Sequence, residues 1–199
     1  MENGTAKSAA ELATNNGRGL RLVWVDCEMT GLPADNHRLV EIACIVTEAD
    51  LTPIAEFGPV AIRQPPEVIE GMTDWCKETF SKNGLIERIK ASDTGERETE
   101  KMVLDFLREH TPPGECLLAG SSVHQDQVFL RKYMPELCTH LHPYRIIDVT
   151  TVKELAKRWY EHTEGWKKLP PKKEIHLALD DIRDSINILK YCREHFFAK

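Results

Sequence analysis

The sequence predicts one α/β domain in which a mixed five-stranded sheet is flanked by helices. Three strand-like segments come first, at Leu20 to Asp26, Leu39 to Thr47 and Ile54 to Arg63. The short connections between them favour an antiparallel meander. Two further apolar segments, Cys116 to Gly120 and Arg145 to Val149, alternate with helical patterns and complete the sheet. A chain of 199 residues is long enough to bury the core of one such domain.

Helical periodicity accounts for most of the remaining chain. In the segment from Glu96 to His110, apolar residues recur at helical spacing, and the sequence Thr-Pro-Pro-Gly then ends the pattern. Thr151 and Glu154 form a capping-box pattern, which predicts that a helix begins at this threonine. The predicted helices are Glu67 to Cys76, Leu85 to Ala91, Glu96 to His110, His124 to Met134, Thr151 to Tyr160 and Leu177 to Phe196.

Residues 1–19 are predicted to be a disordered tail in front of a domain that spans residues 20–199. The tail has neither the apolar core of a secretory signal nor the Arg-rich, acid-poor composition of a transit peptide. No stretch approaches the roughly 18 apolar residues of a membrane span. A cytoplasmic location is therefore expected, and a longer native N-terminus would leave a mitochondrial location open.

Composition bounds the possible partners. The net charge of −6 and the pI of about 5.8 argue against a long electrostatic track for nucleic acid, because proteins that neutralise many phosphates are normally basic. A small anionic substrate held by metal ions and a few cations is still compatible with this charge. The six cysteines contain no CxxC pair and lie mostly in apolar runs, so free core thiols are predicted, and neither a disulfide framework nor a zinc site.

Asp26 and Glu28 stand two residues apart at the end of the first predicted strand. Residues i and i+2 of a strand point to the same face, roughly 6–7 Å apart, so the two carboxylates project together. Such a pair at a buried strand end can chelate a hard divalent cation. Simple solvation of the strand end is the alternative, and the D-x-E pattern alone does not decide between the two.

Asp126 is predicted to lie on the apolar face of the helix from His124, because Phe129, Leu130 and Tyr133 follow it at helical spacing. An ionised carboxylate on that face needs a metal ion, a cation or several hydrogen bonds. The alternative is a simple favourable charge at the N-terminal end of the helix dipole.

The last helix carries Asp180 and Asp181 near its beginning, and His176 precedes it. If Ile182 and Ile186 mark the core face, Asp181 lies at the edge of that face and Asp180 lies nearly opposite it. Asp181 can then reach a cleft at the edge of the sheet, whereas Asp180 is expected to be solvated. Taken alone, His176 is equally consistent with a surface histidine.

Four clustered carboxylates would repel one another without bound cations. At about 5 Å and an effective dielectric constant near 20, each pair costs on the order of 3 kcal/mol. Two Mg²⁺ or Mn²⁺ ions about 4 Å apart would neutralise the group and clamp both oxygens of an in-line phosphoryl displacement. A nearby imidazole could deprotonate the attacking water, which is typically worth about 10²–10⁴ in rate. The carboxylates and the histidine together therefore predict metal-dependent phosphoryl hydrolysis.

The segments that carry these residues resemble the three exonuclease motifs of the oligoribonuclease family, which belongs to the histidine subtype of the four-carboxylate 3′→5′ exonucleases. The resemblance runs in order from about residue 20 to residue 197. It rests on the segments Val23 to Leu32, Gly120 to Asp126 and His176 to Asp181, and also on Met72 to Cys76 and Tyr144 to Leu155.

The resemblance implies a ribonuclease H-like fold and two divalent metal ions, Mg²⁺ or Mn²⁺. It makes Asp26, Glu28, Asp126 and Asp181 the metal ligands and His176 the general base. It also implies a homodimer that releases 5′-mononucleotides from short single-stranded RNA of about two to five nucleotides, especially dinucleotides. By position, the substrate-binding residues would be Leu32 and Trp75 at the bases, Tyr144 stacking from the partner chain, and Arg145, Ser122 and Thr150 at the terminal phosphate.

This sequence departs from the family pattern at three positions, and two other functions compete with the one implied. Ser121 stands where asparagine is usual, Phe80 where a phosphate-contacting histidine is typical, and Thr150 where serine is commoner. A 3′→5′ exonuclease that acts on DNA would share the metal chemistry. A catalytically silent dinucleotide-binding module would be expected to lack a ligand or the base, whereas all five positions are filled here.

Overall fold

A mixed five-stranded sheet forms the centre of the fold in the computed structural model, which describes residues 17–171 and 177–197. Its strand order is β3-β2-β1-β4-β5, in which β1, β2 and β3 pair antiparallel and β4 and β5 continue the sheet in parallel. The antiparallel meander and the mixed five-stranded sheet are therefore confirmed. The strands are β1 Leu22–Met29, β2 Leu39–Thr47, β3 Pro53–Ala61, β4 Leu117–Gly120 and β5 Ile146–Asp148.

Helices surround the sheet, and a 3₁₀ turn at Arg18–Leu20 precedes it. The α4 helix has the predicted bounds, and the final helix begins one residue later than predicted. The helices of the described residues are α1 Pro66–Glu70, α2 Asp74–Lys82, α3 Leu85–Ala91, α4 Glu96–His110, α5 His124–Tyr133, α6 Pro135–His140, α7 Val149–Tyr160, α8 Glu164–Lys167 and α9 Ala178–Phe196.

Two predicted helix boundaries are wrong. The segment from Glu67 to Cys76 is not one helix, because Gly71 ends α1 and Thr73 caps α2 by accepting a hydrogen bond from the Cys76 N–H. The α7 helix begins at Val149 and not at the Thr151 capping box. Asp148 caps it instead, because its carboxylate accepts a hydrogen bond from the Thr150 N–H and so satisfies one of the N-terminal donors of the helix. The helix therefore begins two residues earlier than predicted. The α6 and α8 helices were not predicted.

The two faces of β1 determine where its acids point. Val23, Val25 and Cys27 pack into the core beneath α4, α5 and α6, whereas Trp24 packs on the opposite face with isoleucines of α9. Side chains alternate along a strand, so Asp26 and Glu28 continue the Trp24 face. Both acids are therefore directed to the side of the sheet that α9 covers.

The cysteines agree with the prediction of free core thiols. All six cysteines are free thiols, five buried and Cys138 half-buried. Among the described residues, no helix is both long and apolar enough to cross a membrane. The boundary between a tail at 1–19 and a domain at 20–199 stays a prediction, because residues 1–16 lie outside the described part.

Candidate active site

Three carboxylates meet where β1 ends against the first turn of α9. One oxygen from each of Asp26, Glu28 and Asp181 lies within 4.8 Å of the other two. The strand places the first two on one face, and the helix places the third, whose N–H donates to the Leu177 carbonyl at 3.0 Å. Glu28 and Asp181 are only 9% and 5% exposed, so at least two of these charges are largely removed from solvent.

Asp180 lies on the other side of the same helical turn. Its side chain is 47% exposed and accepts a hydrogen bond from Arg183 at 3.2 Å, and the same arginine bonds to Glu56 at 2.6 Å. The neighbouring acids therefore have different surroundings, as the helical spacing predicts. Asp181 faces Asp26 and Glu28, and Asp180 belongs to a solvent-exposed ion-pair network.

Asp126 is buried beside the carboxylate group but does not belong to it. Its side chain lines the same cavity as Asp26 and Glu28, and its Oδ1 accepts a hydrogen bond from the Cys27 N–H at 3.0 Å. Burial raises the pKa of Asp126 to about 7, although hydrogen bonds to its carboxylate oppose the rise. Burial thus favours the protonated form of Asp126, and a cation bound nearby would favour the ionised form.

The donor set suits a hard divalent cation. Asp26, Glu28 and Asp181 all offer carboxylate oxygens, the ligands that Mg²⁺ and Mn²⁺ prefer. Glu41 stands opposite Glu28 in the register of β1 and β2 and is 1% exposed. Arg88 donates to Oε2 of Glu41 at 2.9 Å, while Oε1 of Glu41 is buried without a hydrogen-bond partner in the described structure. Such a concentration of buried oxygens fits an occupant that brings positive charge.

A cavity of about 400 Å³ opens directly beside these acids. Two of its large apolar side chains are unusually exposed, Leu32 at 55% and Trp75 at 57%. Its lining residues are Asp26, Cys27, Glu28, Met29, Gly31, Leu32, Thr73, Trp75, Cys76, Phe80, Ser121, Ser122, Gln125 and Asp126.

The loop after β1 lies close to the start of α2 because residue 31 is glycine. Gly31 has a φ of 146°, and a Cβ there would lie 2.5 Å from Thr73 Cγ2. The Thr73 N–H also donates to the Thr30 carbonyl at 3.0 Å. These contacts hold the loop that carries Leu32 against the start of α2, which carries Trp75, and both side chains line the cavity. Phe80, where the family pattern has a histidine, is fully buried in a core with Cys76 and other apolar residues.

Ser122 and Thr150 come together at the ends of the parallel strands β4 and β5. Their hydroxyl oxygens lie 3.1 Å apart, although the residues are 28 positions apart in sequence. Asp148 joins their backbones, since its Oδ1 accepts hydrogen bonds from both N–H groups at 2.9 Å. Its Oδ2 lies 3.2 Å from His124 Nδ1. Of the two hydroxyl residues, Ser122 lines the cavity.

Tyr144 and Arg145 are not among the residues that line this cavity. Both are exposed, Tyr144 at 74%, on the segment that enters β5. The Tyr144 ring contacts the His142 ring edge-on at 4.8 Å, and the Arg145 N–H donates to His142 Nδ1 at 3.2 Å. The pair is therefore presented to the outside of this chain.

His176 lies outside the described residues. Its predicted role as general base is a proposal that rests on the sequence. The described chain resumes at residue 177, four residues before Asp181.

Three residues near the site were not singled out as functional from the sequence. Gln125 lines the cavity, Asp148 connects Ser122 to Thr150, and Glu41 lies across from Glu28. Glu41 did leave a signal, because it is the one charged residue within the apolar β2 segment. The contacts of Asp148 and Gln125 depend on which strand ends are neighbours, which local sequence does not show.

Solved structures share this fold at low sequence identity. A crystal structure of E. coli Exonuclease I in complex with a dT13 oligonucleotide matches with a TM-score of 0.67 at 15% identity over 88% of this chain. Exonuclease I from Methylocaldum szegediense matches with a TM-score of 0.65 at 17% identity over 88% of this chain. The present chain spans 41% of each of those longer proteins. The likeness establishes an exonuclease-type, ribonuclease H-like fold.

Sequence comparisons are more specific than the fold. The family model RNase_T, described as Exonuclease, matches residues 23–189. The mitochondrial oligoribonuclease of Homo sapiens is 46% identical over 98% of this chain and 81% of its own length. The oligoribonucleases of Haemophilus influenzae and Marinobacter nauticus are 51% and 48% identical over 88% and 90% of this chain, and over 94% and 97% of their own lengths. The chain therefore belongs to the oligoribonuclease family, and it is a nuclease of the 3′→5′ exoribonuclease type.

Proposed function

We propose that this exoribonuclease acts on short single-stranded RNA of about two to five nucleotides, prefers dinucleotides, and releases 5′-mononucleotides. The observation that carries the proposal is the group formed by Asp26, Glu28 and Asp181 beside a cavity of about 400 Å³. That volume lies within the range of roughly 300–1,000 Å³ typical of small-ligand sites. A group of carboxylates that can hold metal ions, next to a cavity of limited volume, favours hydrolysis of a short phosphodiester.

The proposed reaction uses two divalent cations and a histidine base. Bound Mg²⁺ or Mn²⁺ would neutralise the carboxylates and stabilise the negative charge that develops at the scissile phosphate. Asp26, Glu28, Asp126 and Asp181 would hold these ions. His176 would accept the proton of the attacking water, because an imidazole that is neutral near pH 7 can take it up.

Leu32 and Trp75 are proposed to bind the bases. Both line the cavity and are more than half exposed, so their apolar surfaces are available to a ligand. Stacking of a base on an aromatic side chain is worth about 1–3 kcal/mol and tolerates any base. This pair would therefore bind RNA ends without sequence preference.

Ser122 and Thr150 are proposed to bind the terminal phosphate. Their hydroxyls lie 3.1 Å apart, and Ser122 faces the cavity. Contacts to the bases at one end and hydrogen-bond donors to the phosphate at the other would favour short ligands over longer ones. The net charge of −6 supports the same substrate class, because binding would not depend on many phosphate contacts.

The proposed homodimer would bring Tyr144 and Arg145 of a second copy to this cavity. Neither residue lines the cavity of its own chain, and Tyr144 is 74% exposed. An apolar depression of about 370 Å³ on α7 and the end of α9 also includes the exposed side chains of Leu155, Trp159 and Phe197. Exposed apolar surface of this kind is typical of an association face.

Hydrolysis of a 5′-phosphorylated diribonucleotide, compared with a longer RNA and a matched DNA, tests the proposed function. Each substrate is incubated with Mg²⁺, Mn²⁺ or a chelator, and mononucleotides are quantified. We expect chelator-sensitive release, fastest from the diribonucleotide. Faster cleavage of the longer RNA would refute the short-substrate preference, and cleavage of DNA alone would favour the DNA exonuclease. Binding without cleavage in either metal would favour the silent dinucleotide-binding module.

The cellular compartment is part of the same proposal. The cytoplasm is expected from the sequence as given, whereas the human relative is named as mitochondrial. Fractionation of cells that express the protein from its native locus, with cytoplasmic and mitochondrial markers, distinguishes the two.

A further inference from the structure

Asp148 holds together the two strand ends on which the proposed phosphate-binding hydroxyls lie. We infer that Asp148 is a positioning residue that fixes the Ser122 and Thr150 hydroxyls as one donor pair and thereby sets the preference for a terminal phosphate. The inference rests on the proposed function, which assigns the phosphate to this pair.

A single oxygen of Asp148 connects β4 to β5. Its Oδ1 accepts hydrogen bonds from the Ser122 N–H and the Thr150 N–H, both at 2.9 Å. The first bond reaches the turn between β4 and α5, and the second caps α7. Because both donors share one acceptor atom, their relative position is fixed more tightly than by two separate contacts.

The Ser122 backbone needs this support. Its φ of 54° lies in the left-handed region, which residues other than glycine adopt at a cost in energy. Such a conformation persists where the surroundings hold it, and the Asp148 bond to the Ser122 N–H is one such contact. The conformation turns the Ser122 hydroxyl to within 3.1 Å of the Thr150 hydroxyl.

The hydroxyl pair can offer a proton to a phosphate oxygen. If one hydroxyl donates to the other, the second keeps its own proton for an external acceptor. The groups around Asp148 offset its negative charge, which would otherwise repel the phosphate. The Asp148 side chain is only 10% exposed, its Oδ1 accepts one N–H bond from Ser122 and one from Thr150 at the positive end of α7, and its Oδ2 lies 3.2 Å from His124 Nδ1.

A purely structural role and a positioning role make different predictions for two substitutions. Asp148→Ser keeps a hydroxyl that can cap α7, but the shorter side chain cannot also reach the Ser122 N–H. Asp148→Asn keeps an oxygen in place for both N–H groups. If Asp148 only stabilises the helix, both variants should resemble the wild type. If it positions Ser122, only the asparagine variant should do so.

The test compares 5′-phosphorylated and 5′-hydroxyl diribonucleotides in steady-state hydrolysis with Mg²⁺. For Asp148→Ser we expect KM for the phosphorylated substrate to rise about tenfold with little change in kcat, because uniform binding is lost. KM for the 5′-hydroxyl substrate should change by less than about twofold. Asp148→Asn should keep most of the wild-type selectivity. Thr163→Ala, which removes the N-cap of α8 away from the cavity lining, is the control for loss of a helix cap.

Equal KM changes on both substrates, or unchanged selectivity in Asp148→Ser, would overturn the inference. The Kd of each diribonucleotide, measured by calorimetry in the presence of a chelator, separates this result from failure of the proposed function. If the wild type binds with an Asp148-dependent preference for the phosphate but does not hydrolyse it, only the proposed function fails. If the wild type hydrolyses both substrates and Asp148→Ser leaves both the KM ratio and the Kd ratio unchanged, only the inference fails. If wild-type binding shows no phosphate preference, the inference is wrong.

Discussion

Replacing Asp126 by asparagine should change how the stability of the metal-free protein depends on pH. Asp126 is 7% exposed, and burial raises its pKa from an ordinary value of 3.8 to about 7. The Cys27 N–H donates to its Oδ1 at 3.0 Å, and an asparagine oxygen could accept the same bond. The substitution therefore removes the titration while preserving the shape and the main hydrogen bond of the side chain.

The sign of the effect follows from the raised pKa. The folded protein binds a proton at Asp126 more tightly than the unfolded chain does, so this residue contributes stability at low pH that is lost as the pH rises through about 7. Between pH 4.5 and 7.5, a rise from 3.8 to about 7 corresponds to a loss on the order of 3 kcal/mol in the free energy of unfolding. Asp126→Asn should lack that contribution.

Urea unfolding of both proteins in the presence of a chelator, at pH 4.5 and 7.5, measures the difference. The free energy of unfolding of wild type should fall relative to the variant as the pH rises. Asp180→Asn is the matched control, because Asp180 is half exposed and bonded to Arg183. Parallel pH profiles for wild type and Asp126→Asn would refute the argument from burial. With Mg²⁺ restored, the wild type should gain more stability than the variant if Asp126 contributes to holding the cation.

Three further predictions concern the carboxylates, the residues proposed to bind the bases and the proposed dimer face. Asp181→Asn should reduce kcat by at least about 10²-fold without unfolding the protein, whereas Asp180→Asn should stay within about threefold of wild type; equal losses in a hydrolysis assay would contradict the helix-face argument. Trp75→Ala should raise KM for diribonucleotides by about 10-fold or more and Trp75→Phe by much less, so equal KM values for the two variants would rule out stacking. If the proposed homodimer uses the depression on α7 and α9, Trp159→Glu should shift the protein from dimer to monomer in sedimentation at micromolar concentration, and an unchanged sedimentation coefficient would contradict this interface.

The fold was predictable where the periodicity of the sequence agrees with its final environment. The β2 segment is apolar apart from Glu41 and Thr47 and is buried throughout, and α4 carries a clear apolar face. The α6 helix was missed because part of its cap comes from a distant segment. The Glu100 carboxylate accepts hydrogen bonds from the Glu136 and Leu137 N–H groups at 2.7 and 3.2 Å, some 36 positions away. A pattern read within a local window cannot contain that contact.

At the site too, relations within one element could be predicted from the sequence, and contacts between elements could not. The two-residue period of β1 predicts that Asp26 and Glu28 share a face, and helical spacing predicts that Asp181 turns inward while Asp180 does not. Both relations are internal to one element. The bond from the Cys27 N–H to Asp126 and the contacts made by Asp148 join elements that the topology brings together. Local sequence does not contain these contacts, because they depend on the strand order.

An acidic protein that binds RNA should show a weak dependence on salt if its ligand is short. Two bound divalent cations would offset four of the six net negative charges, and they would do so at the carboxylates themselves. A phosphorylated dinucleotide has two phosphates, so log KM should rise with log[KCl] with a slope of about 1.4 at most, since single strands give about 0.7 per phosphate. KM measured between about 50 and 400 mM KCl at saturating Mg²⁺ provides the slope. A slope of about 4 or more would require contacts to many phosphates along a longer strand, which would contradict both the charge argument and the assignment of this cavity to the shortest RNAs.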